Sequence, residues 1–152
     1  MEKIVSNPTG KYLNRFISHL PLVSTDSVTV LLKGHLLVEE LLREYVSLQY
    51  QKPVMLKDAR LTFHQILCIA RASSNDASSE KLWISIEKLN GLRNKLAHSL
   101  EPKDLEIKIE AFVSHISNFN PKEDYVSQDL KFGVLASCIL GLCLSLSALL
   151  EK

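Results

Sequence analysis

A chain of 152 residues makes one domain, spanning 1–152, the default, and 46% hydrophobic residues are enough to bury a sizeable core. Five glycines, five prolines and 7% aromatics argue against a turn-rich sheet protein and for an all-α fold, a compact up-and-down bundle of about five to six helices. A formal net charge of +1 rules out a general electrostatic pull on nucleic acid, so any RNA contact would need a local patch, for example one assembled across a homodimer.

The opening residues Met-Glu-Lys-Ile-Val-Ser-Asn-Pro lack a basic start followed by an apolar run, so no signal peptide is expected. A first helix is read over 11–19, stopping at Pro21, and a second from the Ser24-Thr25-Asp26 cap to Gln49. On the wheel of the second helix, Lys33, Glu40, Arg43, Glu44 and Ser47 define a solvent side. His35 and Glu39 lie at roughly 200–240° from Lys33, nearly opposite. These two ionisable groups are four apart, so they can touch, and pointing inward they need partners. The most suitable set elsewhere is Arg93, Asn94 and His98, which predicts that Glu39 lies near Arg93 and orients its guanidinium. The alternative is a core His and Glu satisfied by backbone or water.

Residues 53–58 read as a connection, 59–71 as a third helix and 73–79 as a polar loop. A fourth helix over 79–99 ends before Pro102, and Pro102 suits the start of a fifth helix running to Asn118. After Asn120-Pro121 and a polar stretch, a sixth runs from about Gln128 to the C-terminus. Its residues from Phe132 to Leu150 carry no charge, which raises a membrane span. Ser137, Ser145 and Ser147 dilute that stretch and no aromatic belt flanks its far side. Gly133, Ser137, Gly141 and Ser145 form a small-residue ridge that admits another helix, so a buried central or dimer-interface helix is expected and a membrane association is not.

Cys68, Cys138 and Cys143 are odd in number, sit in apolar helical surroundings and lack Cys-x-x-Cys spacing. They are expected to be buried reduced thiols of a cytoplasmic protein rather than disulfides or metal ligands. His19, His64 and His115 are scattered without ligand spacing, and no metal site is expected.

The chemistry-bearing block is Leu89-Asn90-Gly91-Leu92-Arg93-Asn94-Lys95-Leu96-Ala97-His98. Taking Arg93 as reference, Asn90, Asn94, Ala97 and His98 fall within roughly 140° on one side, while Leu82, Leu89, Leu92, Leu96 and Leu100 form a separate stripe. Trp83 and Ile86 share the side of Asn90 and Ala97, as either a contact surface or core. Arg93 offers a permanent cation with a planar fork of donors for phosphate, and His98 can exchange a proton near neutral pH. Spacing alone is weak, since Arg15 with His19 and Arg60 with His64 stand at the neighbouring Arg-x3-His spacing.

The whole block, with Asn after Arg, Ala before His and leucines in helical register, resembles the motif of the HEPN superfamily of all-α domains. Gly34-His35-Leu36-Leu37-Val38-Glu39-Glu40-Leu41-Leu42 is similar to the long second helix of one HEPN branch, and Leu61-Thr62-Phe63-His64-Gln65-Ile66-Leu67 to the short helix that follows it. The resemblance covers roughly residues 28–98. It implies a homodimer whose two motifs face each other, and a metal-independent, cofactor-free endoribonuclease of the toxin or phage-defence type acting on RNA such as tRNA or mRNA.

On that reading Arg93 binds and polarises the phosphate, His98 is general acid or base around attack by the RNA 2′-hydroxyl, and Asn94 positions one of them. Glu39, His35 and Asn90 support. Paired Arg and His can supply the charge stabilisation and proton transfers that in-line cleavage needs. An antitoxin or regulatory protein is an implied partner. The branch paired with a nucleotidyltransferase antitoxin usually continues His-x-Tyr, whereas here the residues are His98-Ser99-Leu100, which leaves the partner unnamed. Two alternatives stay open: a non-catalytic HEPN module binding RNA, a nucleotide or a protein, and a structural role in which Arg93 is a buried packing cation and His98 a helix-terminal residue favoured by the dipole.

Overall fold

The computed structural model describes residues 8–20, 26–75, 77–99, 101, 103–117 and 133–152. All of its regular structure is helical: α1 Pro8–His19, α2 Ser27–Ser47, α3 Val54–Asp58, α4 Phe63–Ser73, a 3₁₀ turn Ala77–Ser79, α5 Glu80–His98, α6 Leu105–Ser117 and α7 Val134–Leu150. Together they form the expected all-α bundle, with seven α-helices among the described residues.

The helix ends show why some expected boundaries shift. Asp26 caps α2, its carboxylate accepting from the Val28 amide at 3.1 Å and from the Thr29 hydroxyl. The connection at 53–58 contains the single-turn α3. Arg60 then sits at φ 50°, a left-handed conformation that no helix can run through, so the next helix starts at Phe63 and not at 59. A capping box fixes that start: Thr62 Oγ1 accepts from the Gln65 amide at 3.2 Å and Gln65 Oε1 from the Thr62 amide at 2.9 Å. Asp104 at φ 65° likewise sets the start of α6 at Leu105; Pro102, the expected start, lies outside the described residues. Gln128 is also outside them, and the last helix is described from Val134, with Gly133 before it.

Helices α2 and α7 form the centre. Nearly every face of α7 is buried, from Leu135 through Ile139, Leu142 and Cys143 to Leu146, and it packs against α1, α2, α5 and α6. Of the two roles foreseen for this helix, the structure gives the central one. No helix among the described residues is long and apolar enough to cross a membrane. Only the second half of the ridge 133/137/141/145 is packed: Gly133 and Ser137 are exposed, Gly141 is buried and Ser145 half-buried. Close approach comes from the other helix: a Cβ on Gly34 of α2 would stand 2.6 Å from Ile139 Cγ2.

Ion pairs tie α1 to α2 and α4 to α5. Arg15 of α1 donates to Glu40 at 2.7 Å and Glu44 at 2.8 Å on α2, and Arg71 of α4 pairs with Glu80 and Glu87 on α5. Trp83 and Ile86 are fully buried, Trp83 with its ring 5.7 Å from that of Tyr45, so they are core and not a contact surface. Cys138 and Cys143 are buried free thiols, burial pushing Cys143 up to about 12. Cys68 departs from the expectation: it is exposed on α4, its Sγ 3.6 Å from His64 Nε2 one turn earlier.

Candidate functional site

The motif helix α5 is held by its leucines. Leu82, Leu89 and Leu92 are buried and Leu96 half-buried, while Arg93, Asn94, Ala97 and His98 are exposed, so the two faces read from the wheel hold over the C-terminal turns of the helix, whereas Trp83 and Ile86 on the Asn90 side are core. Leu100 lies outside the described residues. The helix stops at His98 because Ser99 turns extended, which leaves the imidazole in the last, open turn.

Asn90 sits at the edge between these faces, half-buried, and reaches across to α2. Its Oδ1 accepts from His35 Nε2 at 3.1 Å. His35 is 5% exposed and stacks on Phe63 of α4 with ring centroids 4.5 Å apart. Burial pushes its pKa below 6.5, the Asn90 bond and Glu39 partly opposing and Arg93 adding to the fall. A neutral imidazole with its proton on Nε2 is the form that this bond selects.

Glu39 is not taken by Arg93. Its Oε1 accepts from Arg43 NH2 at 2.7 Å and Arg43 Nε at 3.2 Å, and the same guanidinium donates to the Leu61 carbonyl at 3.0 Å. Arg43 is the nearer cation, one turn along the same helix, and it spans the gap to the segment leading into α4. What the sequence placed correctly is the neighbourhood. Glu39, His35, Asn90 and Arg93 all border one cavity of about 290 Å³ between α2, α4 and α5, which Arg43 and His64 also border.

His98 opens elsewhere. It borders a depression of about 540 Å³ together with Gly91, Lys95 and Ser99. Asn94 borders both hollows and stands between them. Arg93 and His98 are five apart, about 140° around the helix, so within one chain they face opposite sides of Asn94. Arg93 NH1 donates to Asn94 Oδ1 at 3.5 Å, at the long limit for such a bond.

Sequence reasoning missed Arg43 and His64 as neighbours of Arg93. Arg43 lies only ~40° beyond Glu39 on the wheel, a signal strong enough to have grouped them. His64 is brought in by the capping box, which turns the first residues of α4 toward α2. No protein-family model, curated protein or solved structure matches this chain.

Proposed function

We propose that this chain is a HEPN-like endoribonuclease of the toxin or defence type, working in the cytoplasm, whose complete site is assembled between two copies. The observation that supports this most is the exposure of Arg93, Asn94 and His98 on a helix otherwise fixed by buried leucines. An arginine kept for packing would be buried and paired. Arg93 instead borders an open cavity, its neighbouring carboxylate already neutralised by Arg43.

The chemistry follows from those groups. A base removes the proton of the ribose 2′-hydroxyl, the oxygen attacks phosphorus, and the bond to the 5′-oxygen breaks as an acid protonates that leaving group. The products are a 2′,3′-cyclic phosphate and a 5′-hydroxyl. Arg93 would stabilise the charge on the phosphoryl oxygens, with Asn94 beside it, and His98 would move one proton. A second proton donor or acceptor is needed at the opposite end. The facing His98 of a second copy would supply it, and that arrangement would also seat one chain's His98 across from the other's Arg93.

The test uses the purified protein with total RNA or tRNA in EDTA, beside Arg93→Ala and His98→Ala. Cleavage by the parent leaving 2′,3′-cyclic ends, reduced at least about 100-fold in either variant with little change in Tm, is expected. Intact RNA, or equal cutting by His98→Ala, would overturn the proposal. A second reading, ligand binding without cleavage, draws on the cavity itself: Arg43 and Arg93 on its border and the His35–Phe63 stack beside them are suited to an anionic nucleotide. It predicts RNA or nucleotide affinity that falls with Arg93→Ala while RNA stays intact.

A further inference from the structure

Away from Arg93, three lysines converge on one groove. Lys88 and Lys95 of α5 and Lys108 of α6 border a groove of about 280 Å³ whose floor includes Gly91, Ala111 and Phe112. In a chain with a net charge of +1 this is a local concentration of one sign. Among the described residues, none of the three ammonium groups pairs with a carboxylate within ion-pair distance. Lys95 stands close enough to Lys108 to push its pKa down, Asp104 partly opposing. Two like charges that approach each other across a groove with no carboxylate on its own lining, Glu101 and Asp104 bordering the adjoining hollow of His98, are arranged to share an anion.

The groove's position narrows what that anion is. Gly91 and Lys95 also border the depression that holds His98, so the two hollows join. A Cβ at Gly91 would meet nothing within 4 Å, which leaves the junction open to a passing chain. Lys88 and Lys95 are two turns apart, ~10.5 Å along the helix, a reach suited to a phosphate chain rather than a lone ion.

We propose that the Lys88–Lys95–Lys108 groove is a subsite for a backbone phosphate of RNA, flanking the bond cut at His98. This rests on the ribonuclease reading above for the identity of the polymer. The groove gives a near-neutral protein a local hold on a polyanion, and it sets the direction in which a strand leaves the cleavage site.

The test measures binding of a short fluorescein-labelled single-stranded RNA to the full chain carrying His98→Ala, over a series of KCl concentrations. Adding Lys88→Gln and Lys108→Gln, two exposed positions outside the motif, is expected to weaken binding. The slope of log K against log[KCl] should become shallower by about 0.7, the value for one lost phosphate contact on a single strand. The Lys88→Arg/Lys108→Arg pair should keep the slope. An unchanged slope in the glutamine variant, or no RNA binding at all, overturns the subsite. So does a poly-glutamate peptide that binds with the same lysine dependence and displaces the RNA, which would assign the groove to an acidic protein. If the parent chain cuts no RNA yet binds it with a lysine-dependent slope, the nuclease reading falls and the groove stands. If the parent cuts RNA and the glutamine variant binds like its parent, the groove alone falls.

Discussion

His35 is a histidine held uncharged beside a cation. Its ring is sandwiched against Phe63 and bonded to Asn90, and both burial and Arg93 oppose its protonation in the folded chain. The sign of the pH effect follows. Because the folded pKa lies below 6.5, the unfolded chain takes up this proton first as pH falls. The stability that His35 contributes is therefore complete above about pH 6.5 and is lost below it, down through the lowered folded value. Thermal melts at about pH 7.5 and pH 5.5 should show a larger drop in Tm for the parent than for His35→Gln, which cannot titrate. Equal drops would mean that the ring carries no such linkage. The inward direction of His35 was legible from helical periodicity, because the faces of a 21-residue helix repeat many times over, while Glu39 is only half-buried and turns to Arg43 at the margin. Their partners were not legible, since a salt bridge goes to whichever cation is nearest in space and several were in reach.

At the scale of the element, two glycines make the same substitution act with opposite signs. Gly34 faces fully buried Ile139, and a methyl group there would meet Cγ2 at 2.6 Å. Overpacking of about 1–3 kcal/mol should outweigh the ~1 kcal/mol by which alanine favours a helix, so Gly34→Ala is expected to lower stability. Gly91 has open space and an exposed backbone, so Gly91→Ala should raise stability by about 1 kcal/mol. Urea unfolding of both variants checks the pair; a gain at Gly34 would show that α2 and α7 can separate without cost. Most helices were readable because apolar positions recur at helical spacing. The missed boundaries lie where one residue decides. Arg60 and Asp104 adopt left-handed φ without being glycine, and neither leaves a mark in composition. The Thr62-x-x-Gln65 box did leave a mark, a Ser/Thr followed three residues later by Glu/Gln, and it could have placed the start of α4.

For the whole molecule, the arrangement around Asn94 sets the number of chains that the proposed site needs. Arg93 and His98 open to different hollows, so one chain offers a phosphate ligand on one side and a proton carrier on the other. In a two-fold dimer the Arg93 of one chain would meet the His98 of its partner. Because the proposed site uses His98 of both chains, an equal mixture of parent and His98→Ala chains after subunit exchange should cut at about a quarter of the rate of the same total amount of parent, since only a quarter of the dimers keep both histidines. A fall to only about half would place the working groups in a single chain's site. Composition and periodicity were sufficient for the all-α class. The division of the motif between two hollows was not readable, because it depends on how α2, α4 and α6 flank α5.

Among the three thiols only Cys68 faces solvent, and it lies one turn from His64 on the border of the Arg93 cavity. The native sequence therefore provides a single attachment point for a thiol-reactive dye without any engineered cysteine. A fluorophore placed there would sit beside His64, one helical turn from the border of the cavity, close enough to report the arrival of a nucleotide or of a second chain. The protein comes with its own observation post at the place where its function is proposed to occur.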